Sequence, residues 1–165
     1  TLKILESYLT FGMSSLLFKM FREKNGLTYE TGIINPVRNQ NAPFLIYLSV
    51  SNEKALLAFK ILINIWKNLL TKFIPSKKLE LSKIKLENSI LMANQSIEDI
   101  ILRKVQLISF QMDPSFDLES IEIFNSITPE EINKVVNKYL KNPFLSLLGD
   151  SKICNEIKKY WEDYS

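Results

Sequence analysis

A chain of 165 residues is long enough for one domain with a single core. Its 21 basic and 18 acidic side chains leave a net charge of +3 and are interspersed, which argues against a nucleic-acid partner. With no histidine and one cysteine, Cys154, the chain has no internal disulfide framework, no ready general base and no usual zinc-ligand set.

Leu2 to Thr10 reads as a helix with Leu2, Leu5, Tyr8 and Leu9 near one face. Gly12 interrupts it, and either Ser14 or Ser15 can cap a short helix over Leu16–Lys24. In that helix the apolar Leu17, Phe18, Met20 and Phe21 give way to Arg22-Glu23-Lys24. Asn25-Gly26 then closes it: Gly26 can take the positive φ of a helix C-terminus, whose dipole suits Arg22 and Lys24. A strand over Thr28–Ile34 follows, and then a loop containing Asn35, Pro36, Asn39, Gln40 and Asn41. Pro43–Val50 alternates Phe44, Ile46, Leu48 and Val50 against Leu45, Tyr47 and Ser49, the pattern of a second strand. The two strands are expected to pair as an antiparallel hairpin.

Ser51 or Asn52 caps a long helix reaching about Phe73. Lys60, Asn64, Lys67, Asn68 and Lys72 interrupt its apolar run, so it reads as amphipathic rather than membrane-spanning. Phe59, Trp66 and Phe73 recur every seventh residue and are expected to form one core stripe. Pro75-Ser76 opens a helix over about Lys77–Ala93, and Ser96 with Asp99 starts another to about Ser109. A short helix, Leu118–Asn125, leads to a capping box in which Thr128 is the N-cap, Pro129 is N1 and Glu131 is N3. That helix ends near Leu140. Asn142-Pro143 then turns into a final strand, Phe144–Leu148, and Gly149-Asp150 begins a last helix through about Tyr160. Cys154, between Ile153 and Ile157, reads as a packed thiol. No repeat or linker divides residues 1–165, and the order suits one α+β domain with helices packed on a small, mainly antiparallel sheet. No signal peptide is visible, consistent with a soluble, cytoplasmic chain.

The stretch LFKMFREKNGLTYETG, residues 17–32, resembles the F-x-x-(L/F)-R-E-K-x-G-L-x-Y segment of the pitrilysin/insulinase-type zinc peptidases, which include the mitochondrial processing peptidases. The likeness runs on in order. Leu9-Thr10-Phe11-Gly12-Met13-Ser14-Ser15-Leu16-Leu17-Phe18 resembles the lead-in L-x-x-G-x-S-S-x-L-F, and Ser51-Asn52-Glu53-Lys54-Ala55 resembles S-P-E-K-A. Ile127 to Ile132 with Tyr139-Leu140 resembles V-T-P-E-D-V and its following R-Y-L, and Leu147-Leu148-Gly149-Asp150 resembles V-V-G-D. The resemblance implies the C-terminal, non-zinc half-domain, a two-layer α+β fold. It implies further that the first strand of the sheet and its P-x-x-x-x-D lead-in are missing here, and that the H-x-x-E-H zinc motif lies elsewhere. Zinc, its ligands and the glutamate base would come from a zinc-bearing N-terminal half or partner subunit, with no metal or other cofactor held by this chain. An extended peptide is the implied substrate, added as a strand to a sheet edge. An edge left open by a missing strand invites self-association.

The matched residues Arg22 and Tyr29 are the candidate catalytic-site pair, implied to hold the substrate carbonyl beside the scissile bond. An arginine fork beside a phenol hydroxyl is a sound pair of donors for a developing oxyanion. The residues alone also allow a plainer reading: Arg22 as a helix-end charge solvated or paired to Glu23 or Glu30, and Tyr29 as a half-buried strand ring. Ser14 and Ser15 have no accompanying base and read as caps. Glu98 and Asp99 read as a helix start rather than an acid–base pair. Phe44 and Tyr47 mark a strand edge that could face a peptide. Two rival readings remain: a non-catalytic assembly or scaffold subunit of the same fold, and an unrelated peptide-binding module.

Overall fold

A computed structural model describes residues 1–28, 30–36, 42–93 and 95–163. Helix α1 (Leu2–Thr10) leads into a π-helical turn (Phe18–Glu23), and strands β1 (Glu30–Ile34) and β2 (Leu45–Ser49) form an antiparallel pair. Six helices follow: α2 (Asn52–Thr71), α3 (Ser76–Ala93), α4 (Ile97–Ser109), α5 (Phe116–Ser126), α6 (Pro129–Tyr139) and α7 (Ser151–Glu162). The architecture is α+β, mostly helical, with a small sheet.

The core is built by helical spacing. Leu5 and Leu9 of α1, Ala58, Ile65 and Leu69 of α2, and Ile132, Val136 and Leu140 at and beyond α6 recur at four- or seven-residue steps and are buried together, with Ile4 beside Leu5. The α1 and α3 helices lie against each other, and α1 also covers β1. At the α1–α3 contact the buried Ser7 hydroxyl donates to the Ser82 carbonyl at 2.8 Å, so the polar atom is satisfied inside the core. Buried Lys83 behaves likewise, reaching Glu80 at 2.8 Å and the Asn125 carbonyl at 3.0 Å, which ties α3 to the end of α5. Trp66 of α2 donates its indole N–H to the Leu140 carbonyl at 3.1 Å.

Pairing Gly32 with Tyr47 and Ile33 with Ile46 sets the hairpin register. Because side chains alternate along a strand, Ile33, Ile46 and Leu48 turn to the core while Ile34, Leu45 and Tyr47 stay on the open face. Tyr47 lies across Gly32 on that face: a Cβ at Gly32 would stand 2.8 Å from the Tyr47 hydroxyl.

Several expected elements change. Phe144–Leu148 is not a strand, and Phe144 and Leu148 are fully exposed. A strand exists by pairing its backbone groups, and no described residue pairs with this segment. Phe73 is not in the aromatic stripe; it is 59% exposed, because α2 stops at Thr71. A helix continued through Pro75 would drive the proline ring onto the Thr71 carbonyl. The Ser51 side chain makes no cap bond. Neither Ser14 nor Ser15 caps the second helix through its side chain. Ser14 Oγ instead accepts from Lys85 Nζ at 2.6 Å, while Ser15 Oγ is buried and unpaired.

Candidate functional site

Position 22 is set by an unusual helix. The Lys24 N–H reaches back to the Lys19 carbonyl at 2.9 Å, a five-residue step that defines a π turn. The closure after it is widened in the same way. The Gly26 N–H meets the Arg22 carbonyl at 3.1 Å and the Leu27 N–H meets the Phe21 carbonyl at 2.7 Å. Each bond spans one residue more than in a Schellman end. Gly26 supplies the left-handed backbone required, with φ +55°. The Asn25 amide adds a 2.6 Å bond to the Met20 carbonyl.

One side of this turn is anchored in the core by Phe21 and Leu27, both buried. Arg22, next in sequence to Phe21, is consequently turned outward and is exposed. Its guanidinium lies 5.2 Å from the centroid of the Phe18 ring, a cation–π distance that orients the planar fork. The expected positive φ at Gly26 is thus present, and an exposed Arg22 fits both the carbonyl-holding and the plainer helix-end reading. Tyr29, the other half of the expected pair, lies outside the described residues.

Two further side chains hold this turn from outside it. Lys54, in the first turn of α2, donates from Nζ to the Gly26 carbonyl at 2.7 Å. Thr28, only 5% exposed, accepts the Glu30 N–H at 2.9 Å and directs its hydroxyl to the Ser49 carbonyl at the end of β2. A lysine where the helix dipole favours an acid was a legible clue for Lys54. Nothing local marked Thr28, a residue type at home in any strand.

No three His, Cys, Asp or Glu side chains among the described residues are placed to hold a metal ion. With no histidine in the chain, its donors do not fit a zinc site of the usual chemistry. No helix among the described residues is long and apolar enough to cross a membrane.

Residues 1–86, from α1 through the π turn and hairpin into α3, match the sequence family described as the peptidase M16 inactive domain. A relative named as an uncharacterized zinc protease of Rickettsia felis is 30% identical over 133 residues, covering 77% of this chain and 31% of that protein. The crystal structure of a peptidase M16 inactive domain from Pseudomonas fluorescens aligns with a TM-score of 0.72 at 22% identity, over 82% of this chain and 32% of that one. A protease from Helicobacter pylori aligns with a TM-score of 0.68 at 20% identity, over 84% and 34%. At those identities the structural likeness speaks for the fold alone. This chain spans about a third of the length of each of these relatives.

Proposed function

This chain belongs to the peptidase M16 inactive-domain family, and we propose that it is the substrate-positioning, C-terminal half of a zinc endopeptidase of the pitrilysin and processing-peptidase kind. In this reading residues 1–165 form one domain. The zinc, its ligands and the general base belong to an N-terminal half or partner subunit. An extended peptide is the substrate. Arg22 and Tyr29 hold the carbonyl oxygen next to the bond to be cut.

The observation that carries the reading is the presentation of Arg22: an exposed guanidinium on a turn locked to the core on one side and stacked on Phe18 on the other. A guanidinium offers fixed N–H donors and keeps its charge at any working pH. As the carbonyl is attacked, negative charge grows on its oxygen, and donors already in place stabilise it without reorganising. The named relative from Rickettsia felis, a zinc protease, supports the reaction class.

Phe144 and Leu148, exposed on a segment that forms no strand among the described residues, leave apolar surface that such a partner half could cover. The test is to assemble this domain with its proposed zinc-bearing half and follow cleavage of a tryptic digest of β-casein by mass spectrometry. Arg22→Ala and Tyr29→Phe should each lower kcat about 10²–10³-fold while the melting temperature holds. Undiminished turnover in both variants would leave the scaffold reading in its place.

A further inference from the structure

We propose that Lys54 and Thr28 are positioning residues for peptide-bond cleavage: they hold the short connection between the π turn and β1, so that the groups at its two ends keep a fixed separation. The inference rests on the carbonyl-holding reading of Arg22 and Tyr29.

The connection from Glu23 to Thr28 is the covalent path between the two proposed donors, and it contains Gly26, the residue type least able to hold its own conformation. Its shape must therefore be imposed from outside, and the outside contacts are few and specific. Leu27 is buried, which fixes one side chain in the core. The Gly26 carbonyl, turned away from the core, is held by Lys54 Nζ at 2.7 Å, a bond between residues 28 apart. The Thr28 hydroxyl bridges the start of β1 to the end of β2 through Glu30 and Ser49, the pair at the end of the hairpin register. Both chain neighbours of position 29 are thus tied by hydrogen bonds, and the carbonyl four residues beyond Arg22 is tied as well.

The placement of Lys54 is not what α2 would select for its own stability. It occupies the first turn, where the exposed N–H groups favour an anion, and the nearby Glu53 already meets that demand. What the ammonium does there is neutralise the other helix end it faces, the carbonyl-rich close of the π turn. An exposed bond of this sort contributes little to global stability; its effect is on geometry, which a donor pair for a carbonyl needs at the sub-ångström level.

The experiment uses this domain assembled with its zinc-bearing half and the best-cleaved β-casein peptide as probe. Lys54→Met and Thr28→Val remove one donor each and keep the shape. Both should lower kcat about 10- to 100-fold with KM little changed. Lys54→Arg and Thr28→Ser, which retain the donor, should recover most of the loss. The deciding arm is a cycle: placed in an Arg22→Ala, Tyr29→Phe background, Lys54→Met and Thr28→Val should change the residual rate by no more than about twofold, since nothing remains to be positioned. Full turnover in both single variants, or the same loss carried intact into that background, overturns the inference. Full turnover in the Arg22→Ala, Tyr29→Phe background itself would instead sink the reading beneath it. Lys54 is exposed, so its arm stands even where Thr28→Val perturbs folding.

Discussion

Gly26→Ala probes the closure that presents Arg22. The backbone at Gly26 sits at φ +55°, and a Cβ built there meets no atom within 4 Å. The substitution therefore carries no packing clash, and its cost is conformational only. An L-residue in the left-handed region costs about 1–2 kcal/mol. The stiffer unfolded chain returns about 0.4–1 kcal/mol of that, so the net loss is about 1 kcal/mol. For a domain of this size that lowers Tm by about 2–4 °C. Gly12, with φ +75° and equally open surroundings, is the matched control and should lose the same amount on Gly12→Ala. Far-UV circular dichroism melts of the two variants should thus coincide, while turnover of the assembled peptidase falls only for Gly26→Ala. A melting loss several times larger at Gly26 than at Gly12 would mean that the closure is held by contacts other than its backbone conformation. Equal turnover in the two variants would separate the turn from the chemistry.

Gly32→Ala tests the open face of the sheet. The new methyl would stand 2.8–3.0 Å from the end of the Tyr47 side chain, and since that ring borders solvent it should swing aside at a cost below about 1 kcal/mol, a cost absent in a Tyr47→Ala background; a loss of several kcal/mol in both backgrounds, read by denaturant melts, would show that the backbone itself rejects Cβ. Sedimentation velocity tests segment 142–149. The domain alone should self-associate as concentration rises, and the Phe144→Lys, Leu148→Lys variant should not, because charge replaces the exposed apolar surface of these two side chains; an unmodified domain that stays monomeric throughout would show that this segment is no association surface.

Much of this fold was readable from the chain because its signals are local. The capping box at Thr128 needs only four consecutive residues, and both of its bonds are present: Thr128 N–H to the Glu131 carboxylate at 2.8 Å and Glu131 N–H to Thr128 Oγ1 at 3.3 Å. Asp150 capped the last helix as its position implied, accepting from the N–H groups of Lys152 and Ile153. The hairpin followed from a period of two across residues 44–50, where one set packs inward and the other does not. Phe144–Leu148 has a similar apolar character and failed as a strand, because strand identity is a property of two segments and only one was being read. Phe73 failed for a different reason: spacing of seven placed it on the helical stripe, but Pro75 had already ended the helix, and a chain break outranks a periodicity.

The candidate site divides along the same line. Arg22 and the turn that carries it were legible, since Gly26 and the switch from apolar to charged residues lie within a few positions of each other. The π widening was not, because one extra residue per turn leaves no compositional mark. It arises where Phe21 and Leu27 both reach the core while the chain between them must still turn back toward β1. The contacts of Lys54 and Thr28 were hidden as well, since their partners are 28 and 21 residues away, although a lysine at a helix start was itself a clue. That distribution has a physical consequence. The group proposed to touch substrate is fixed by local sequence, but the side chains proposed to steady its turn bond to or lie on α2 and β2, elements folded elsewhere. Damage to packing at the start of α2 should therefore reach the chemistry by loosening the Gly26 carbonyl, without altering any residue that a substrate touches.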